Sequence, residues 1–243
     1  MLFELICLFF LSLSFSSFLN VIILSGKMAF KLDNRRSECP NCSNKLFWYH
    51  NIPIFSYIFL KGKCYFCKEN ISSQYPIIEF FGSIILPLSF YLFGFSISTL
   101  LFSVILFFLL FLSVKDFKYK YVSFLDVSIL LFLLLLFGLF YSQPIDILFG
   151  SCFLLVFLVS LKLLFDFIKG TTTLGVGDII PLLSFSVIII KPELILFEIS
   201  LGLFIMSIIV IVFSKFYNSK EIPLIPFIFL ALLFKTILLS FVL

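Results

Sequence analysis

Charge is what this sequence has least of. Only 12% of its 243 residues are Asp, Glu, Lys or Arg, against about 25% in soluble domains. Hydrophobic residues make up 62%. A chain so composed cannot hide its apolar surface inside one globule, so a polytopic membrane protein is expected. A net charge of +4 is modest and does not point to nucleic acid as a partner. The first 24 residues lack a basic n-region and a small-x-small cleavage site, and so read as a first membrane helix and not a removable signal. No glycine-rich nucleotide loop occurs. There is one histidine, His50, which reads as structural and not as a ligand.

Apolar runs dominate the rest. A membrane helix needs about 20 such residues, and eight segments qualify: 1–24, 77–95, 97–114, 123–142, 145–168, 178–190, 194–214 and 223–243. The sixth is short. Merged with the seventh it would give seven spans and reverse the C-terminus. Basic residues decide the orientation. With region 25–76 in the cytosol, 15 of the 17 Lys and Arg fall on that side, and only Lys191 and Lys235 disagree. The fold class expected is an all-α polytopic membrane protein of about eight transmembrane helices, with a small cytosolic four-cysteine zinc-binding insert after the first helix. The N-terminus then lies outside.

That insert holds four of the six cysteines. Cys39-Pro40-Asn41-Cys42 and Cys64-Tyr65-Phe66-Cys67 are two C-x2-C pairs separated by 21 residues. Four thiolates at this spacing can fold two knuckles around one tetrahedral zinc. The segment is too short and polar to bury a core, so metal would supply most of its folding energy. A cytosolic location keeps these thiols reduced. Cys7 and Cys152 lie in apolar segments and read as small core residues.

Two acids at helix ends invite chemistry. Asp116 follows an apolar run in S-V-K-D-F-K-Y-K, and Asp178 follows L-G-V-G; both map to the cytosolic side, although 62 residues separate them. Ionisable groups at membrane depth are costly and are functional candidates by default. Two adjacent carboxylates share a proton and can activate a water, cleaving an amide without a covalent intermediate. Read singly, Asp116 is a juxtamembrane charge and Asp178 a helix N-terminal acid favoured by the dipole. Asp126 and Asp146 carry no such signal, and Asp166 can pair with Lys162. A zinc-bearing adaptor, or a transporter whose aspartates handle cations, is the rival class.

Taken together, certain residues resemble the bacterial type IV prepilin leader peptidases, membrane aspartic proteases with a G-x-G-D motif. They are Ser17-Phe18-Leu19-Asn20-Val21, Arg36-Ser37, the four insert cysteines, Trp48, Asn51-Ile52-Pro53, Ser56-Tyr57, Gly62-Lys63, Ile71-Ser72, Tyr75-Pro76-x-x-Glu79, Asp116 and Gly175-Val176-Gly177-Asp178. The resemblance implies cleavage of the basic leader from type IV prepilin or pseudopilin precursors, with Asp116 and Asp178 as the protease aspartates. It also implies N-methylation of the new N-terminal residue, with S-adenosyl-L-methionine as methyl donor and the cysteine-bearing insert linked to that step. The implied location is the bacterial cytoplasmic (inner) membrane, with the active site facing the cytosol. Lipid and the precursors are the expected partners. The expected division is 1–24 first helix, 25–76 insert and 77–243 protease helices. A peptidase without methyltransferase activity is the closest alternative.

Overall fold

The computed structural model describes residues 2–25, 38–39, 41–141, 149–160, 176–188, 195–214 and 223–242. Among these, every regular element is helical, and extended backbone pairs only at two isolated bridges, Glu38–Lys45 and Lys63–Asn70. The helices are α1 (Leu2–Ser25), a 3-10 turn (Trp48–Asn51), α2 (Phe55–Phe59), α3 (Gln74–Phe93), α4 (Ile97–Tyr119), α5 (Phe124–Tyr141), α6 (Phe149–Ser160), α7 (Val176–Val187), α8 (Ile195–Ser214) and α9 (Ile225–Val242). Each of the eight apolar segments overlaps one of them. Five, namely α1, α3, α4, α5 and α8, are long and apolar enough to cross a membrane. The chain is a multi-pass membrane protein.

Two compact units form, Met1–Tyr91 and Leu92–Leu243. In the first, polar groups join α1 and α3. The Ser12 hydroxyl donates to the Gly82 carbonyl at 2.6 Å and accepts the Leu86 N–H at 3.2 Å. It thus inserts into the backbone ladder of α3 one residue before Pro87, which has no N–H of its own to give. One turn along, Ser16 reaches the Glu79 carbonyl at 3.4 Å.

In the second unit, α5 packs on α4 and α7, and α9 packs on α4, α7 and α8. Contacts at both ends fix the directions. Phe102 meets Phe137 at 6.0 Å and Lys115 pairs with Asp126, so α4 and α5 are antiparallel. Phe213 meets Phe227 at 5.7 Å and Glu198 meets Lys235 at 3.1 Å, so α8 and α9 are antiparallel. Gly202 of α8 lies against the Phe185 ring, and Lys235 joins Glu198 to the Ile188 carbonyl, so α7 and α8 are antiparallel too. The sixth and seventh segments are therefore separate helices and not one merged span. By the same steps α7 and α9 run parallel.

Helix ends depart from the apolar boundaries. α4 continues past its apolar run to Tyr119 and takes in Lys115 and Asp116. It stops where Lys120 turns left-handed, at φ 51°, with its N–H on the Asp116 carbonyl.

Candidate functional site

The thiols sit on one local structure used twice. The Cys39 carbonyl accepts the Ser43 N–H at 2.8 Å, while the Cys39 N–H reaches the Asn44 carbonyl at 3.1 Å. In the second pair the Cys64 carbonyl accepts the Lys68 N–H at 3.1 Å, and the Cys64 N–H reaches the Glu69 carbonyl at 2.8 Å. Ser43 and Lys68, each just after the second cysteine of its pair, are both left-handed, at φ 53° and 61°. The isolated bridges close the two knuckles. Nearby, Gly62 holds φ +68°, and an added Cβ there would lie 3.0 Å from the Tyr57 hydroxyl oxygen.

Folded in this way, Cys39, Cys42, Cys64 and Cys67 bring their sulfurs within 4.8 Å of one another, with Cys39 and Cys67 at 3.9 Å. A tetrahedral ion with metal–sulfur bonds of about 2.3 Å requires sulfur–sulfur edges of about 3.8 Å. The four sulfurs can hold one metal ion. Backbone N–H groups already aim at sulfur. The Cys67 N–H, ahead of opposing desolvation, draws the Cys64 thiol down to about 7. At Cys67 the Glu69 N–H also lowers the pKa, but burial and the three neighbouring sulfurs outweigh it and raise the thiol to about 11. His50 is no part of this cluster. It is buried among the rings of Phe47, Tyr49, Tyr65 and Phe66, as a structural residue would be.

Glu79 joins the insert to the helices. It is 6% exposed; its Oε1 accepts the Ser17 hydroxyl at 2.8 Å and its Oε2 the Ile54 N–H at 2.7 Å. Ile54 is at φ 61°, ψ −54°, with the Phe55 N–H on the Pro53 carbonyl at 2.6 Å. This is a γ-turn of the rare positive-φ kind, and a β-branched residue occupies it at a cost. Asn20, one turn beyond Ser17 on α1, gives its amide to the Tyr75 carbonyl at 3.3 Å. Ser17, Asn20, Pro53, Tyr75 and Glu79 all belong to the motif stretches, yet motif reading assigned Glu79 no part. The available signal was an acid inside an apolar segment.

Asp116 is buried at the carboxyl end of α4. Its Oδ2 accepts the Ile225 N–H at 3.1 Å, at the amino end of α9, and Ser113 reaches the Ile225 carbonyl at 3.4 Å. Asp178 lies in the first turn of α7; its side chain lies outside the described residues. Ten residues separate Ile225 from Lys235 on α9, and ten separate Asp178 from Ile188 on α7, about 15 Å in each case. The two helices are parallel, and Lys235 binds the Ile188 carbonyl at 2.7 Å. Asp178 and Ile225 thus both lie at the amino ends of parallel helices, and Asp116 is bonded to the second of these. Pro181 of α7 has no N–H for the Gly177 carbonyl.

The other acids are accounted for differently. Asp126 pairs with Lys115 and also accepts the Ser123 hydroxyl at 2.6 Å and the Ser123 N–H at 3.0 Å. Ser123 in return takes the Asp126 N–H at 3.3 Å, a reciprocal cap at the start of α5. Asp146, Asp166 and Lys162 lie outside the described residues. Cys7 and Cys152 correct an expectation. Both are exposed on their helices and not small core residues, because each sits on the outward apolar face of α1 or α6, where lipid and not protein would cover it.

Residues 10–93 match the family model described as Bacterial Peptidase A24 N-terminal domain. The chain is similar to a protein named Prepilin leader peptidase/N-methyltransferase from Vibrio cholerae, 43% identical over 76 residues, covering 28% of this chain and 30% of that protein. Its counterpart of the same name from Stutzerimonas stutzeri is 33% identical over 153 residues, 62% of this chain and 53% of the relative. The one from Pseudomonas aeruginosa is 34% identical over 145 residues, 58% and 50%. The chain thus spans about half or less of the length of these relatives. No solved structure matches it. The resemblance drawn from the motifs holds, and the family model ends before Asp116.

Proposed function

We propose that this protein removes the leader peptide from type IV prepilin-like precursors and N-methylates the residue so exposed, at the cytosolic face of the bacterial inner membrane. The names of its relatives and the match over residues 10–93 support the reading. The protease half is supported by the burial of Asp116 against the amino end of α9, a helix parallel to α7, whose first turn carries Asp178. In this reading the Ile225 N–H orients the Asp116 carboxyl through Oδ2. One aspartate takes a proton from water as the water attacks the scissile carbonyl, and the other gives its proton to the carbonyl oxygen. The tetrahedral species then collapses, and the leaving amine receives a proton from the pair. A precursor helix lying in the bilayer would present its leader junction at the depth of this pair.

The insert serves the second half. Cys39, Cys42, Cys64 and Cys67 hold a structural zinc that fixes the two knuckles, and Glu79 ties the result to α1 and α3. S-adenosyl-L-methionine, when bound, supplies the methyl group for the new amine. The division follows: 1–24 anchors, 25–76 serves methylation and 77–243 serves proteolysis.

Incubating the purified protein with a prepilin and the methyl donor tests both halves by mass spectrometry. Loss of the leader followed by gain of one methyl group is the expected result. An intact precursor with correctly inserted protein would refute the reading. Leader loss with no methyl gain would leave a peptidase alone.

A further inference from the structure

Lys235 is one of the two basic residues that the charge map does not absorb. It lies ten residues into α9 and is 0% exposed. An ammonium has three protons to donate, and Lys235 has three acceptors: Glu198 Oε2 at 3.1 Å, the Ile188 carbonyl at 2.7 Å and the Phe185 carbonyl at 3.4 Å. Glu198 is also 0% exposed.

The two carbonyls explain why a charge is needed there. α7 has 12 residues, about 18 Å, while the hydrocarbon core is about 30 Å thick. Over these described residues the helix reaches only part of the way across. Carbonyls at a helix end carry the negative end of the dipole, and in lipid they find no water. Lys235 donates to two carbonyls at this end, and Glu198 balances its charge. Gly202 makes the approach possible. It lies one turn beyond Glu198 on the same face of α8, where an added Cβ would fall 2.5 Å from the Phe185 ring.

We infer that the Glu198–Lys235 pair pins the carboxyl end of α7 within the membrane and so sets the depth of the Asp178 turn at its other end. Both are positioning residues. The inference about α7 stands on the geometry alone; its kinetic consequence rests on the proposed protease function.

The test uses the full chain in lipid nanodiscs. Glu198→Gln with Lys235→Met removes the pair and leaves no orphan charge. Glu198→Lys with Lys235→Glu keeps a pair, but the swapped carboxylate has no proton for the α7 carbonyls. Amide exchange should rise about tenfold or more in α7 and stay unchanged in α4 and α5, in both doubles. With a prepilin, kcat should fall about 10- to 100-fold while KM stays within about twofold, the result of a misplaced group and not of lost binding. Wild-type exchange in α7 of the neutral double would overturn the inference. So would recovery of wild-type exchange by the swap, because a pair alone would then suffice. A wild-type protein that cuts no prepilin would defeat the proposed function, and the exchange measurements would still decide the pin.

Discussion

The Ile54 amide donates to Glu79 Oε2 at 2.7 Å while Ile54 itself is held at φ 61°. A strained turn of the insert is thus fastened to a carboxylate inside a membrane helix, and the Ser17 hydroxyl fastens the same carboxylate to α1. Glu79→Gln replaces one acceptor oxygen by a donor, leaving a buried N–H or hydroxyl unpaired at about 1–3 kcal/mol. Limited proteolysis should then cut within residues 38–72 faster, and methyl transfer should fall more than cleavage. An unchanged digestion pattern would show that Glu79 does not hold the insert.

The repeated knuckle leads to a metal prediction. One zinc per chain should copurify, and Ser at Cys39, Cys42, Cys64 or Cys67 should release it and loosen the insert, because three thiolates close the site less well than four. Acid should release it as well, since the ligands bind deprotonated. Elemental analysis without metal, in protein with four reactive thiols and full methylation, would count against a zinc site.

Topology follows from the basic residues. A reporter fused at Asn44 should behave as cytosolic and one near Gln143 as exported. An exported Asn44 fusion would reverse the map. Lys235, an exception to the charge count, now has a reason: it answers to Glu198 and to the end of α7 and not to the membrane potential or the lipid surface.

How much of this was legible depends on how local the signal is. Helix positions followed from apolar runs, and the four-thiol cluster followed from two short spacings, because both are set by residues close in sequence. The Glu198–Lys235 pair and the Ser17–Glu79–Ile54 junction were not legible. Their partners lie 37, 62 and 25 residues apart, and hydropathy records a buried ion pair only as two interruptions. Asp116 illustrates the middle case. Its place at a helix end was readable, but its bond to Ile225, 109 residues on, needed the packing of α4 against α9.

Asp126 gives a control. Its carboxylate serves Lys115 and the Ser123 cap, so Asp126→Asn should cost about 1–2 kcal/mol in stability and leave cleavage largely intact. Thermal unfolding and the cleavage rate, measured on the same preparation, separate the two effects. Loss of cleavage without loss of stability would move Asp126 into the reaction.

The central claim is that Asp116 and Asp178 act as one unit, and the most direct measurement is leader removal by their asparagine variants in membranes. Asn keeps size and shape but cannot share or relay the proton. Asp116→Asn or Asp178→Asn alone should abolish cleavage, and the double should be no worse than either, as for groups that work together. Methylation of a pre-cleaved pilin should survive all three. Appreciable leader removal by correctly inserted Asp178→Asn protein would contradict the account.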